Sequence, residues 1–326
     1  MSAAQLHGEA RPSVRDRNVL SIASSAFGRE LLAGLSSQPR VVSPKWFYDE
    51  AGSMLFEQIT QVPEYYPTRT ELALLEQHAP AMAAHMGAGA EIVEFGAGAS
   101  RKVRLLLSAL VAPRRVLPID ISGDHLEKAA ERLRIDYPGL AVLPVVTDFT
   151  RALDLPPPMG RRVGFFPGSS IGNFEPAQAQ RLLRQMAGWL AGGGLLVGVD
   201  LVKDPALLHA AYNDAQGVTA AFNLNLLARA NRELGADFDL AQFSHSAFYN
   251  PPRSRIEMHI VSRRQQTVCL GGQRVEFDEG DSVQTECSYK YTVESFQRLA
   301  VAAGWMPHAV WVDEARWFSL HWLQPG

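Results

Sequence analysis

Residues 91–110 constrain the fold more than any other stretch of this 326-residue chain. Glu91-Ile92-Val93-Glu94-Phe95 is a short strand-like run that ends in Gly96-Ala97-Gly98. The residues that follow put Val103, Leu106, Leu107 and Leu110 on one helical face. Strand, glycine turn and helix make one βα unit, and the pattern then repeats. Val116 to Asp120 forms a second strand, with Ser122 expected to N-cap a helix carrying Leu126, Ala129, Ala130 and Leu133. A third strand is expected over 141–146, a fourth over Arg162 to Phe166, and a fifth over Gly194 to Asp200. Pro176 stands where it opens the helix between the last two, with Leu182, Leu183, Met186 and Leu190 at helical spacing. Alternation of this kind implies an α/β fold built on a parallel, doubly wound sheet.

Past Asp204 the alternation stops. A helical stretch rich in alanine, asparagine and leucine runs to about residue 234, followed by strand-like segments at 255–263 and 267–277. A last helix near 293–303 and strands near 306–312 and 317–323 are expected to return to the edge of the sheet. The expected organisation is a flexible tail over 1–16, a main domain of 67–204 with 288–326, and a smaller α+β domain of 17–66 with 205–287.

Composition narrows the class of ligand. Apolar residues make up 47% and charged residues 20%, as in soluble globular proteins. A net charge of −3 without any lysine- or arginine-rich stripe argues against nucleic acid and for a small molecule. Cys269 and Cys287, without metal-ligand spacing, imply reduced thiols and no metal. The polar first twenty residues and the lack of a long apolar run argue against secretion and membrane anchoring. A cytoplasmic, monomeric enzyme is expected.

The turn after the first strand is nucleotide-like because glycine allows close backbone approach and positive φ. Arg101 occupies the place of the third glycine of a dinucleotide turn, which disfavours a pyrophosphate and a nicotinamide oxidoreductase. S-adenosylmethionine carries no phosphate and suits such a turn. Asp120, about twenty residues on at the end of the second strand, is placed to accept the ribose hydroxyls. Asp148 and Phe149, ending the third strand, would then bond the adenine amino group and cover the ring. Lys102 is either a partner for the cofactor's carboxylate or a solvated charge on a first helical turn.

Three further stretches crowd aromatic, proline and polar residues together: 45–49, 63–71 and 168–174. With them the chain resembles the histidine Nα-methyltransferases of ergothioneine biosynthesis, which form hercynine. The motifs that carry the resemblance are KWFYDExGSxLFEQIT, PEYYPTRTE, GSSIGN, GVDLVKD, AYNDAQGVTAAFNLNLL and TECSYKY, and it spans about residue 30 to near the C-terminus.

The resemblance implies a class I, Rossmann-like S-adenosylmethionine methyltransferase sheet joined to a smaller substrate-binding domain. It implies S-adenosylhomocysteine as coproduct and L-histidine as the small-molecule partner. By motif, Asn173 and Tyr212 correspond to the pair that binds the substrate carboxylate. Glu286 and Ser288 correspond to the imidazole readers, Tyr65 to a wall of the ring pocket and Tyr48 to the residue near the reacting amine. Met258 is expected to pack near the ring. Gly96, Lys102, Asp120, Asp148 and Phe149 fall on the cofactor motifs, although Ala97 and Ala99 stand where the family commonly carries hydroxyl groups. The rival readings are an Nα-methyltransferase for another amino acid, such as tryptophan or a derivative, and a cofactor-binding regulatory subunit that performs no chemistry.

Overall fold

The computed structural model describes residues 22 and 24–326, so the expected 1–16 tail lies outside the described residues. Helix α1 (Ala26–Ser36) is capped by Ser25 and leads to a two-residue strand β1 (Arg40–Val41). A 3-10 turn at Pro44–Phe47 precedes α2 (Glu50–Ile59), whose N-cap Asp49 accepts the Gly52 N–H at 2.7 Å. The long α3 (Tyr66–Met86) enters through Pro67, where a missing N–H costs nothing.

The alternating segment then follows: β2 (Glu91–Phe95), α4 (Arg101–Ala109), β3 (Arg115–Asp120) and α5 (Gly123–Asp136). The expected third strand is two pieces, β4 (Ala141–Val142) and β5 (Val145–Val146), both paired with β3. Pro144 between them has no N–H to give the ladder. Strand β6 (Arg162–Phe166), α6 (Pro176–Trp189) and β7 (Leu195–Asp200) complete the alternation. Pro176 opens α6 as expected, and the Gln178 side chain accepts the Glu175 N–H at 3.1 Å. Ser122 holds the N-cap position of α5 but its hydroxyl does not cap. That hydroxyl faces Ser53 at 3.4 Å, and the Ser122 N–H donates instead to Asp120 Oδ1 at 3.0 Å.

Helices α7 (Pro205–Tyr212) and α8 (Val218–Leu234) lead into β8 (Phe243–Asn250), β9 (Arg255–Ser262), the hairpin β10 (Gln266–Leu270) and β11 (Gln273–Phe277), and β12 (Ser282–Tyr289). Helix α9 (Val293–Ala302) precedes β13 (Trp305–Val312) and β14 (Phe318–Pro325). The main sheet runs β13-β14-β7-β6-β2-β3-β4. Its β7-to-β4 part is parallel, and the two last strands return antiparallel beside β7. A second sheet runs β1-β12-β9-β8. The division expected between residues 287 and 288 therefore falls inside β12.

Strand β2 is buried at all five positions because helices cover both faces of the sheet. Its first residue, Glu91, is a carboxylate inside the core, held by Arg115 Nη2 and Arg162 Nε, each at 2.5 Å. This pair of contacts joins the starts of the three central strands. Chain order reverses about β2, with β3 and β4 on one side and β6 and β7 on the other. Ligands of such sheets bind at the carboxyl ends of the strands, at that reversal. Replacing Glu91 with leucine should leave two buried guanidinium groups unpaired and destabilise the protein by about 3–5 kcal/mol. Urea denaturation checks this, and an unchanged midpoint would remove Glu91 from the framework.

Candidate active site

A cavity of about 1200 Å³ opens at the carboxyl ends of the parallel strands and reaches across to β12. Its main-sheet wall contains Glu94, Gly96, Gly98, Lys102, Asp120, Asp148 and Phe149. Tyr48, Tyr65, Asn173 and Glu286 line the opposite side. Residues from both sheets thus share one space.

The glycine turn has the backbone that its sequence demands. Gly96 and Gly98 take φ of 70° and 50°. The Gly98 N–H donates to Asp120 Oδ2 at 3.0 Å, which with the Ser122 N–H on Oδ1 holds the carboxylate from its own side. Lone pairs on both Asp120 oxygens stay open toward the cavity. Phe149 stands edge-on to Phe95 and Phe166 at 6.1 and 5.7 Å between centroids. Asp148 accepts the Thr150 N–H at 3.0 Å and pairs with Lys45 at 3.2 Å. Burial pushes its carboxyl up, and the Thr150 and Lys45 hydrogen bonds more than reverse this, so it lies below its ordinary range.

Lys102 pairs with Glu71 at 2.6 Å while lining the cavity. Glu71 is fully buried and also accepts the Gly168 N–H on both oxygens at 2.9 Å. Glu94 lies under the glycine turn with Oε2 unpartnered. Burial pushes its carboxyl up to about 8, against the pull of Ser100 and Lys102. A buried carboxylate with an idle oxygen fits a ligand that carries positive charge. Together with the open Asp120 lone pairs and the Phe149 ring, it fits S-adenosylmethionine, whose sulfonium and ammonium are both cationic.

Across the cavity, Glu286 has no hydrogen-bond partner among the described residues. Burial pushes it up to about 7, although the Lys290 ammonium pulls it back. Tyr48, Tyr65 and Tyr212 are all raised well above their ordinary values, by burial first and then by the Glu286 charge and other nearby acidic groups. These phenols therefore stay protonated. The Tyr65 and Tyr212 rings meet edge-on at 6.4 Å, and Tyr48 stands edge-on to Phe222 at 5.7 Å. Asn173 ends the 3-10 turn at Ser170–Asn173, and its side-chain amide has no protein partner among the described residues.

Ser288 and Met258 lie behind the wall. Ser288 is two residues from Glu286 on β12 and accepts from Lys290 Nζ at 2.8 Å, as Tyr212 does at 3.2 Å. Met258 is the cross-strand neighbour of Glu286. The pairing of β12 with β9 shifts register between Gln284 and Glu286, a bulge at Thr285. The Thr285 hydroxyl donates to Asn223 Oδ1 at 2.7 Å, Asn223 Nδ2 donates to His245 Nδ1 at 2.9 Å, and His245 Nε2 donates to the Tyr212 carbonyl at 2.9 Å. One hydrogen-bonded chain thus fixes both the bulge and the Tyr212 helix end.

Glu94 in the cavity wall, and Glu71, Asp200, Asn223 and Lys290 that hold groups behind it, were not singled out by sequence reasoning. Glu71, Asp200 and Lys290 lie inside the PEYYPTRTE, GVDLVKD and TECSYKY motifs, and Glu94 is the last acid before the glycine turn, so a signal was present.

A family profile described as "Histidine-specific methyltransferase, SAM-dependent" matches residues 27–325. The chain belongs to this family. It is 43% identical to the histidine N-alpha-methyltransferase of Mycolicibacterium smegmatis, over 91% of this chain and 94% of that protein. Identity to the histidine N-alpha-methyltransferase of Mycobacterium tuberculosis is 42%, over 90% and 94%. Ergothioneine biosynthesis protein 1 of Neurospora crassa is 32% identical over 82% of this chain and 31% of its own length. Within this methyltransferase family fold, no group of residues suited to hold a metal ion occurs among the described residues, and no described helix is long and apolar enough to cross a membrane.

The state of Glu94 gives a measurable signature of cofactor binding. With its carboxyl near 8 it is mostly protonated at neutral pH, and a bound cation favours the ionised form. Cofactor affinity should therefore rise with pH toward and through 8, with proton release on binding. Calorimetry in buffers of different ionisation enthalpy measures this, and Glu94→Gln should abolish the proton release. Release of equal size in that variant would assign it to another group.

Proposed function

We propose that this chain transfers methyl groups from S-adenosylmethionine to the α-amino nitrogen of L-histidine, three in succession, giving hercynine for ergothioneine biosynthesis. The observation that carries the reading is one cavity with an acid-edged glycine turn on one side and, on the other, the buried carboxylate of Glu286, which has no hydrogen-bond partner among the described residues. Bound S-adenosylmethionine supplies a methyl group already activated by the positive sulfur, so neither a metal nor a covalent enzyme intermediate is required.

The chain's own residues then have to bind, orient and exclude water. Gly96 lets the backbone approach the cofactor, Lys102 meets its carboxylate, Asp120 takes the ribose hydroxyls, and Asp148 and Phe149 hold the adenine. Asn173 gives an amide N–H and Tyr212 a phenol O–H to the substrate carboxylate. Glu286 accepts a ring N–H, Ser288 serves the other ring nitrogen, and Tyr65 and Met258 bound the ring. Tyr48 orients the amine toward the methyl group. Its phenol is held protonated by burial and by the Glu286 charge, so it acts as a hydrogen-bonding guide and not as a base. The amine reacts only as the neutral species, and the α-nitrogen of the final product has no N–H left to give.

Two further readings accompany this one. The smaller domain is taken as 17–66 with 205–287 and the cofactor domain as 67–204 with 288–326, so that β12 passes from one to the other. The protein is taken to act as a monomer in the cytoplasm, with histidine as its partner.

Purified protein given S-adenosylmethionine and a mixture of the common amino acids should add three methyl groups to histidine alone, read by mass spectrometry. Methylation of tryptophan in place of histidine, or cofactor binding without turnover, would overturn the proposal. Glu286→Ala should raise KM for histidine by roughly ten- to a hundredfold, the cost of leaving a buried ring N–H unpaired. Steady-state kinetics measures it, and an unchanged KM would remove Glu286 from ring recognition.

A further inference from the structure

Lys290 lies just past the end of β12, and its side chain turns inward until it is 3% exposed. An ammonium has three N–H donors and no acceptor. Three oxygens surround this one: Asp200 Oδ2 at 2.6 Å, Ser288 Oγ at 2.8 Å and the Tyr212 phenol at 3.2 Å. Ser288 and Tyr212 each therefore receive a hydrogen bond from a cation. A hydroxyl that accepts from a cation becomes a poorer acceptor and a stronger donor for its next partner. Each has a single proton, and both stand just behind the cavity wall: Ser288 shares the Glu286 face of β12, and the Tyr212 ring meets that of Tyr65.

We infer that Lys290 is a positioning residue that turns the hydroxyl protons of Ser288 and Tyr212 into the pocket, so that histidine is held through an unprotonated ring nitrogen at Ser288. The inference rests on the histidine reading above and says which form of the ring the site takes. The groups facing Lys290 are Asp200 from the end of β7, Tyr212 from α7, and Glu286 and Ser288 from its own strand. Lys203 and Tyr66 share the Asp200 carboxylate from its other side.

Glu286 accepts a ring N–H from neutral imidazole and from imidazolium alike. Its charge attracts the cation, and the Lys290 charge repels it. The difference lies at Ser288. A ring lone pair there takes the proton that Lys290 has made a better donor, whereas a ring N–H would press a second cation onto an oxygen already committed to the first. Lys290 thus reaches both ends of the substrate, through Tyr212 to the carboxylate and through Ser288 to the ring.

The test is nitrogen-15 NMR of ring-labelled histidine bound to the full chain with S-adenosylhomocysteine at pH 6, where about half of the free ring is imidazolium. The expected spectrum has two widely separated ring nitrogens, one protonated and one not. Two protonated nitrogens would overturn the inference and leave the histidine reading intact, whereas no bound signal would overturn that reading itself. Kinetics supplies the second arm. Lys290→Met should raise KM for histidine about tenfold or more with a smaller fall in kcat. Adding Ser288→Ala to it should cost less than about twofold further, because coupled residues are not additive. Fully additive effects would overturn a role through Ser288. Should Lys290→Met fail to fold, the wild-type spectrum decides.

Discussion

The carboxylate of Asp200 is the contact on which the rest of the site depends. It ends β7, is fully buried, and accepts the Tyr66 phenol at 2.8 and 2.9 Å, Lys203 at 2.5 Å and Lys290 at 2.6 Å. Its backbone N–H donates to Ser169 Oγ at 2.9 Å. One residue therefore gathers the start of α3, the turn before α6, the loop after β7 and the end of β12. Such burial is unfavourable for a lone charge, and burial does push this carboxyl up. The Lys290 and Lys203 ammonium groups outweigh it and hold the carboxyl below its ordinary value. Lys203 bears the complementary strain: burial lowers it to about 8 although Asp200 pulls it upward. The two sheets are joined by buried charges, each of which offsets the cost of burying the others.

The two walls of the cavity use carboxylates in different ways. Asp120 is fixed by two backbone N–H groups and presents spare lone pairs, a geometry suited to neutral hydroxyls. Glu94 and Glu286 are starved of partners and raised by burial, a state suited to ligands that bring an N–H or a positive charge. A ligand gains most at such groups, because the protein itself compensates them poorly.

Much of this was legible in the sequence wherever the signal was local. The β2 run, the glycine turn, the place of Asp120 at the end of β3 and the Pro176 helix start depend on neighbours within about twenty residues, and the structure has them where the sequence puts them. Pro144 was visible too, yet the strand over 141–146 was read as continuous, because alternation alone does not register a missing donor. Glu286 and Ser288 came through resemblance, since an exposed strand face has the same spacing. The supporting groups were out of reach. Glu71 meets Gly168 across 97 residues and Tyr66 meets Asp200 across 134. A bulge at Thr285 leaves no mark in composition, because what it needs is an asparagine on another element.

Gly198 shows how such distant pairings write themselves back into sequence. It lies mid-strand in β7, where glycine weakens a sheet and no unusual φ asks for it. A Cβ at this position would sit 2.2 Å from Glu71 Oε1. The small residue in GVDLVKD is thus required by a carboxylate in PEYYPTRTE, and that carboxylate in turn holds Gly168 and Lys102. Two motifs more than a hundred residues apart constrain each other because one oxygen needs the room. Together they set the turn that carries Asn173 against the helix that carries Lys102, so two parts of the cavity wall are positioned by the same buried acid.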